Sequence, residues 1–112
     1  MVMTTIFDVI ADPTRRHILD LLLQRPHLVG ELVDQLEISQ PGVSKQLRVL
    51  RDAGLVRVRQ DAQRRWYVLR PEPLQEIDQW LAGYRESWSE RFENLDEYLR
   101  KLQEEEQNDD DA

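Results

Sequence analysis

The fold is decided by residues 39–56, which read SQPGVSKQLRVLRDAGLV. If this segment is an α-helix, with 100° between successive residues, three of its aliphatic side chains fall within about 60° of one another. These are Val43, Leu47 and Leu50, and they predict a buried stripe along the helix. The opposite half of that helix carries Pro41, Ser44, Lys45, Arg48, Arg51 and Asp52. Gly54 predicts the end of the helix. Taken alone, this pattern is also that of any solvated amphipathic helix, so its neighbours decide its role.

A hairpin is predicted directly after this helix. Residues 55–59 and 66–69 alternate with period two around a polar connector at 60–64. A short amphipathic helix over 28–36 and a tight turn at 37–39, with Ser39 as N-cap, precede the helix. A helix-turn-helix followed by a hairpin is a winged helix, which reads the major groove with its second helix. Arg64 and Arg65 are expected at the hairpin tip, where they would contact flanking phosphates or the minor groove. Alternatively, their charges only prevent an exposed strand edge from aggregating.

The charge is unevenly distributed along the 112 residues. The net charge of −7 alone argues against a nucleic-acid partner. Residues 39–70, however, hold eight Lys and Arg against two Asp and Glu, whereas residues 71–112 hold four against fourteen. The absence of cysteine excludes disulfides and thiolate sites. With no signal peptide or membrane-spanning run in the sequence, we expect a cytoplasmic protein without membrane contact.

A second apolar pattern runs along the C-terminal part. From Leu74 to Leu102 apolar residues recur at spacings of 3, 4, 3, 4, 4, 3, 4 and 3. Such a near-heptad seam predicts pairing with a second copy, although its start could fold back on its own core. The expected dimerisation residues are Phe7, Leu81, Tyr84, Trp88, Phe92, Leu95 and Leu99. We predict one domain over 1–103, with a dimerisation helix at about 71–103, and a disordered acidic tail over 104–112.

Residues 39–56, together with 7–19, resemble the ArsR-type winged-helix repressors, and the resemblance covers 6 to about 102. It implies a mainly α fold with a small β-hairpin and a homodimer formed through the N- and C-terminal helices. It also implies that this homodimer binds an imperfect palindrome in double-stranded DNA. The positions it implies for DNA contact are Gln40, Ser44, Lys45, Gln46, Arg48, Arg64 and Arg65. Gln46 stands where many members have histidine, and its amide can still pair with adenine. The Asp61-Ala62-Gln63 sequence replaces the usual Asp-Gly of the wing, which leaves the turn type open.

No metal, cofactor or catalytic site is predicted. Metal sensors of the family bind the metal through cysteines on the helix before the recognition helix, or through Asp and His on the C-terminal helix. In this chain the first location, residues 31–36, reads ELVDQL, and the C-terminal helix has no histidine. His17 and His27 lack paired spacing, and no Gly-rich phosphate loop or nucleophile-base pair supports an enzyme. The remaining alternative is a winged-helix protein-interaction module, which suits the acidic C-terminal half. The sequence does not identify an inducer.

Overall fold

The computed structural model describes residues 5–110. Its helices are α1 (Ile6–Ile10), α2 (Pro13–Gln24), α3 (Val29–Leu36), α4 (Gln40–Asp52) and α5 (Gln75–Asp110), with strands β1 (Val56–Asp61) and β2 (Arg64–Leu69) and a short 3-10 helix at Glu72–Leu74. The chain forms two compact units, Met1–Ile77 and Asp78–Ala112. Across the described range, no helix combines the length and the apolar content that crossing a membrane requires.

The first unit is built on an aliphatic core to which every helix and the first strand contribute. Asp12 caps α2 by accepting from the Arg15 amide at 3.0 Å, and Pro13 occupies the first turn, where a missing N–H costs nothing. The predicted stripe of α4 is confirmed as fully buried. The buried apolar residues are Ile6, Val9, Ile18, Leu19, Leu21, Leu22, Leu32, Val43, Leu47, Leu50, Leu55 and Val56. This core fixes α3 and α4 as the helix-turn-helix pair.

Both ends of α4 are defined by caps that the sequence predicts. Ser39 Oγ accepts from the Gly42 amide at 3.2 Å. At the other end Gly54 has a φ of 77°, and its amide donates to the Arg51 carbonyl at 2.9 Å. The Leu55 amide donates to the Leu50 carbonyl at 2.9 Å, which completes a Schellman motif. The helix therefore presents thirteen residues in a fixed register.

The turn between α3 and α4 places a non-glycine residue in the left-handed region. Glu37 caps α3 with a φ of 56°, and its amide donates to the Val33 carbonyl at 3.0 Å. For an L-residue with a Cβ this conformation costs roughly 1–2 kcal/mol, which glycine avoids.

Glu37→Gly is therefore expected to raise the free energy of unfolding by about 1 kcal/mol, because it removes the left-handed penalty without removing a contact. Urea unfolding followed by circular dichroism measures the change. Glu37→Ala is the matched control: it removes the same carboxylate but keeps a Cβ. Equal stabilisation by both variants would show that the side chain, and not the backbone, is responsible.

The hairpin is longer and its turn tighter than predicted. The strands pair antiparallel from Val56–Leu69 to Asp61–Arg64, leaving only residues 62 and 63 in the turn. The predicted five-residue connector is therefore wrong, because Ala62 adopts a φ of 54° and closes a two-residue turn. His27 adds a bridge on the other side of β2: its amide and carbonyl exchange hydrogen bonds with those of Tyr67, at 3.1 and 2.8 Å.

The segment before α3 is held by an ion pair. Arg25 Nη2 donates to Glu31 Oε2 at 2.7 Å, and the Leu28 amide donates to Glu31 Oε1 at 3.0 Å. The hydrogen bond from Arg25, followed by that from the Leu28 amide, lowers the pKa of Glu31 to about 2 from 4.5. A lowered pKa means that the ionised form stabilises the fold above pH 4.5, and that this contribution disappears as the pH falls towards 2.

Glu31→Gln should consequently be less stable than the parent at pH 6, and the difference should shrink between pH 4.5 and about 2. Urea unfolding at a series of pH values checks this. Asp34→Asn, which changes an exposed carboxylate on the same helix, serves as the control. A difference between Glu31→Gln and parent that is independent of pH would contradict the electrostatic explanation.

The second unit consists of the greater part of α5. The helix begins at Gln75, after the 3-10 turn, and extends to Asp110. Most of the acidic segment predicted to be disordered is thus helical in the structure, because its Glu and Gln residues are good helix formers. Residues 111 and 112 of that segment lie outside the described range. The disorder of the tail, and the boundaries 1–103 and 104–112, stay predictions.

Candidate nucleic-acid interface

The outer face of α4 is polar, basic and exposed. The fully buried residues on α4 hold the helix against the core, and its opposite face is exposed to solvent. The exposed positions include Gln40, Ser44, Lys45, Arg48 and Arg51. The helix begins at Gln40, so Gln40 and Ser44 occupy its first two turns, the part that helix-turn-helix proteins direct at base edges.

This face and the hairpin together form a groove. A cavity of about 540 Å³ lies between α4 and β2, lined by Ser44, Lys45, Arg48 and Arg51 from the helix and by Arg65 and Tyr67 from the strand. A second cavity of about 420 Å³ continues it along Gln40, Gln63 and Arg64. Ser44, Arg65 and Tyr67 border both cavities. Six of the seven residues predicted for DNA contact are thus brought to one continuous surface, here called the basic groove.

The two wing arginines directly follow the turn at the tip of the hairpin. Ala62 and Gln63 form the turn, and Arg64 and Arg65 are the first two residues of β2. Arg65 shares the strand face of Tyr67, and Arg64, beside the turn, lines the second cavity together with Gln63. Their contact with DNA stays a prediction.

Gln46 differs from the other predicted contacts because it is held inside the protein. Its Oε1 accepts from Arg15 Nη1 at 2.9 Å, and the side chain is half-buried. Arg15 also donates from Nε to the Val9 carbonyl at 2.6 Å and from Nη2 to the Asp8 carbonyl at 3.2 Å. Gln46 therefore connects α4 to α1 and α2, which makes it a positioning residue in this structure.

Sequence reasoning missed two residues of this region, Tyr67 and Arg15, and placed Arg51 on the polar face of the helix without assigning it a contact. Tyr67 and Arg51 line the groove, and Arg15 holds Gln46. The alternation of the second strand carries a signal for Tyr67, since it places Tyr67 on the same face as Arg65. The contact of Arg15 with Gln46 joins residues 31 positions apart and has no local signal.

The cations of the basic groove form no salt bridge with the side chains that the structure describes. The three ion pairs found among residues 5–107 join Arg25 to Glu31, Arg85 to Asp78 and Arg100 to Asp96, and none of these six residues lines the groove. Lys45, Arg48 and Arg65 are exposed and make no ion pair within that range. Exposed cations without partners, converging on a groove, attract a polyanion.

No set of three metal-ligating side chains comes together in the part of the chain that the structure describes. His17 is exposed, whereas His27 is 2% exposed, and its Nδ1 lies 2.8 Å from the Arg25 carbonyl oxygen. His27 therefore has a structural role at the bridge to β2. The absence of metal sensing stays a prediction.

The second unit exposes an aromatic and aliphatic stripe. Its large apolar side chains are between 39% and 70% exposed, far more than those of the first unit's core. They are Trp80, Tyr84, Trp88, Phe92, Leu95, Tyr98, Leu99 and Leu102. Leu81 is half-buried, and Phe7 of α1 is 37% exposed. A shallow cavity of about 680 Å³ runs along Trp88, Phe92, Leu95 and Leu99. A stripe of this size on a monomer marks an interaction surface.

Comparison with known proteins agrees with this architecture. Residues 12–58 match the sequence model of a family described as bacterial regulatory protein, arsR family. The transcriptional repressor SdpR of Bacillus subtilis (strain 168) is 33% identical over 82 residues, which cover 73% of this chain and 91% of that protein.

Solved structures give the same result. The crystal structure of an ArsR family transcriptional regulator superposes with a TM-score of 0.64 at 32% identity, over 74% of this chain and 91% of the other. A homodimeric winged helix-turn-helix DNA-binding domain from Mycobacterium bovis has a TM-score of 0.56 over 70% of this chain and 72% of the other. Its identity of 24% supports the fold alone.

Proposed function

The chain belongs to the arsR family of bacterial regulatory proteins, and from that premise we propose that it represses transcription as a homodimer bound to a palindromic operator. Its relatives are transcriptional repressors, and its fold is the winged helix-turn-helix of DNA-binding regulators. The observation that carries the proposal is the basic groove, where exposed cations from α4 and β2 converge and form no salt bridge within residues 5–107.

Each groove residue has a role that follows from its position. Arg48 is assigned to base edges in the major groove, where a guanidinium can make two hydrogen bonds to guanine. Lys45 provides a phosphate or base contact, and the short side chains of Gln40 and Ser44 fix the N-terminal part of α4 against the backbone. Arg65 holds a phosphate beside the groove. Gln46 acts indirectly, by keeping α4 in register with α1 and α2.

The homodimer is proposed to form through the stripe on α5, assisted by Phe7 of α1. Stripe residues from Trp80 to Leu102 span 23 positions, or roughly 33 Å of helix. A monomer would leave this surface in water, and a second copy offers an identical surface of the same length. Dimerisation presents two copies of α4, which suits half-sites about 34–36 Å apart on one face of B-DNA.

Selection of fragments from the source genome by the purified protein tests the function. We expect enrichment of a fragment with an inverted repeat, and fluorescence anisotropy should show tighter binding to it than to an unrelated duplex of equal length. The affinity for both should fall steeply with salt, because cations displace counterions from phosphates.

The same experiment separates the alternative function. A winged helix that only holds another protein would enrich no sequence and would bind all duplexes weakly and equally, with the binding lost at physiological salt. That result would reject the repressor proposal. The acidic second unit would then be the surface to examine for a protein partner.

A further inference from the structure

One guanidinium group joins three helices of the first unit. Arg15, in the first turn of α2, donates from Nη1 to Gln46 Oε1 on α4 at 2.9 Å. The same group donates from Nε to the Val9 carbonyl at 2.6 Å and from Nη2 to the Asp8 carbonyl at 3.2 Å, both in α1. Because the guanidinium is planar and rigid, its three nitrogens constrain the distance and the angle between α1 and α4.

The contacts with α1 hold a helix that is too short to be stable alone. α1 has five residues, and the carbonyls in the last turn of a helix have no partner within it. Arg15 takes two of the α1 carbonyls, and Arg16 Nη1 donates to the carbonyl of Ile10 at 2.6 Å. The buried side chains of Ile6 and Val9 add apolar contacts with the core. The position of α1 is therefore tied to that of α2 and its two arginines.

The contact with α4 supplies a direction that the core does not. Val43, Leu47 and Leu50 hold α4 through aliphatic contacts, and the hydrophobic effect is non-directional. A hydrogen bond weakens steeply when its angle falls, so the bond at Gln46 resists rotation of α4 about its own axis. Neither Arg15 nor Gln46 lines a cavity of the basic groove. The pair is thus placed to set the direction of the groove face without forming part of it.

We propose that Arg15 is a positioning residue that couples the dimer interface to α4 and thereby sets the half-site spacing that the dimer prefers. This inference rests on the proposed function, which puts Phe7 of α1 in the interface and Lys45 of α4 on DNA. Phe7 directly precedes Asp8, whose carbonyl Arg15 holds. Lys45 directly precedes Gln46. The contacts of this single side chain therefore end one residue away from each of the two surfaces.

A role of Arg15 in stability alone predicts a different result. Loss of stability lowers the fraction of folded protein and weakens binding to every duplex by the same factor. A misdirected α4 instead changes the separation of the two recognition surfaces, because a twofold dimer carries the error in both copies. One base pair inserted between the half-sites rotates them by about 35° and separates them by about 3.4 Å more. The preference among spacings therefore distinguishes positioning from stability.

The test uses the operator selected above and two versions of it, with one base pair added or removed between the half-sites. The test variant is Gln46→Leu, which removes the acceptor for Arg15 and leaves the bonds from Arg15 to α1. Gln46→Glu keeps an acceptor at the same place and is the rescue variant. Arg16→Gln is the matched control, because it removes a bond from α2 to α1 and leaves the bond to α4 in place.

Fluorescence anisotropy should show that the parent binds the selected spacing about tenfold more tightly than either altered spacing. In Gln46→Leu this ratio should fall to about threefold or less, because the selected spacing loses affinity while the altered ones lose little. Gln46→Glu should bind every duplex more weakly, since it adds negative charge near DNA, but should keep the parental ratio. Arg16→Gln should also keep the ratio. All of the proteins should sediment as dimers and have the circular dichroism of the parent.

A double-mutant cycle assigns the effect to the pair. Arg15→Leu should reduce the ratio at least as far as Gln46→Leu does, and the combination should reduce it no further, because the first change has already broken the bond. Reductions that add would contradict the coupling. If Arg15→Leu does not fold, the comparison of Gln46→Leu with Gln46→Glu decides the question by itself.

An unchanged ratio in Gln46→Leu would overturn the inference, and an equal loss of affinity on all three duplexes would assign Gln46 a direct contact with DNA. Loss of the ratio in Gln46→Glu would overturn it as well, and so would a monomeric Gln46→Leu, since the bond would then hold the interface itself. A parent that prefers its operator but not its spacing rejects this inference alone. A parent that binds its operator no better than an unrelated duplex rejects the proposed function.

Discussion

Phe92→Glu combined with Leu99→Glu is expected to convert the protein to a folded monomer and to weaken operator binding by about 10² to 10⁴-fold. Both side chains are largely exposed, so their replacement removes no core contact of the first unit. In a dimer they would lie in the apolar interface, where two carboxylates from each copy would be buried without partners. The monomer keeps the groove but loses the second half-site, which otherwise binds at high effective concentration.

Analytical ultracentrifugation and anisotropy on the operator measure the two effects. Arg100→Gln with Lys101→Gln is the matched control, because it changes the charge by the same two units on the side of α5 opposite the stripe. This control should remain dimeric and bind as the parent does. If the test variant stays dimeric, the stripe is not the interface. If it becomes monomeric yet binds the operator with full affinity, the two-half-site mechanism is wrong.

Local patterns predicted the first unit well. The caps at Ser39 and Gly54 depend on neighbouring residues only, and the structure shows each as the sequence predicts. The stripe on α4 is also local, because the helical period sets it. In each case the chemistry lies within a few residues, so no knowledge of the fold was needed.

Prediction failed where non-local packing or an unusual φ decided the outcome. The hairpin turn was predicted too long, because Ala62 adopts a conformation that favours glycine. The DNA contact predicted for Gln46 stays a prediction, but its hydrogen bond from Arg15, 31 residues away, has no local signal in the sequence. The two faces of the hairpin could be assigned only once the register of β1 and β2 was known, since a shift of one residue would exchange them.

Arg48→Ala is expected to weaken operator binding by about 1–3 kcal/mol and to relax discrimination at one base pair of each half-site. Arg48 is exposed on the groove face of α4, one turn after Ser44, and no carboxylate pairs with it within residues 5–107. Its guanidinium is therefore available to a base edge. A base contact and a phosphate contact leave different signatures, which makes the assignment testable.

Anisotropy on the operator and on its single-base variants, at several salt concentrations, distinguishes them. Loss of a base contact should lower affinity for the operator more than for unrelated DNA. Loss of a phosphate contact should weaken all sequences alike and reduce the salt slope by about one. Arg51→Ala, one turn further along α4, is the companion variant expected to show the second pattern.

Arg48→Lys retains the charge without the two-pronged geometry, so it should bind non-specific DNA normally and still lose discrimination. If the Arg48→Ala variant binds and discriminates as the parent does, the assignment of base recognition to Arg48 is wrong and another residue of the groove must make that contact.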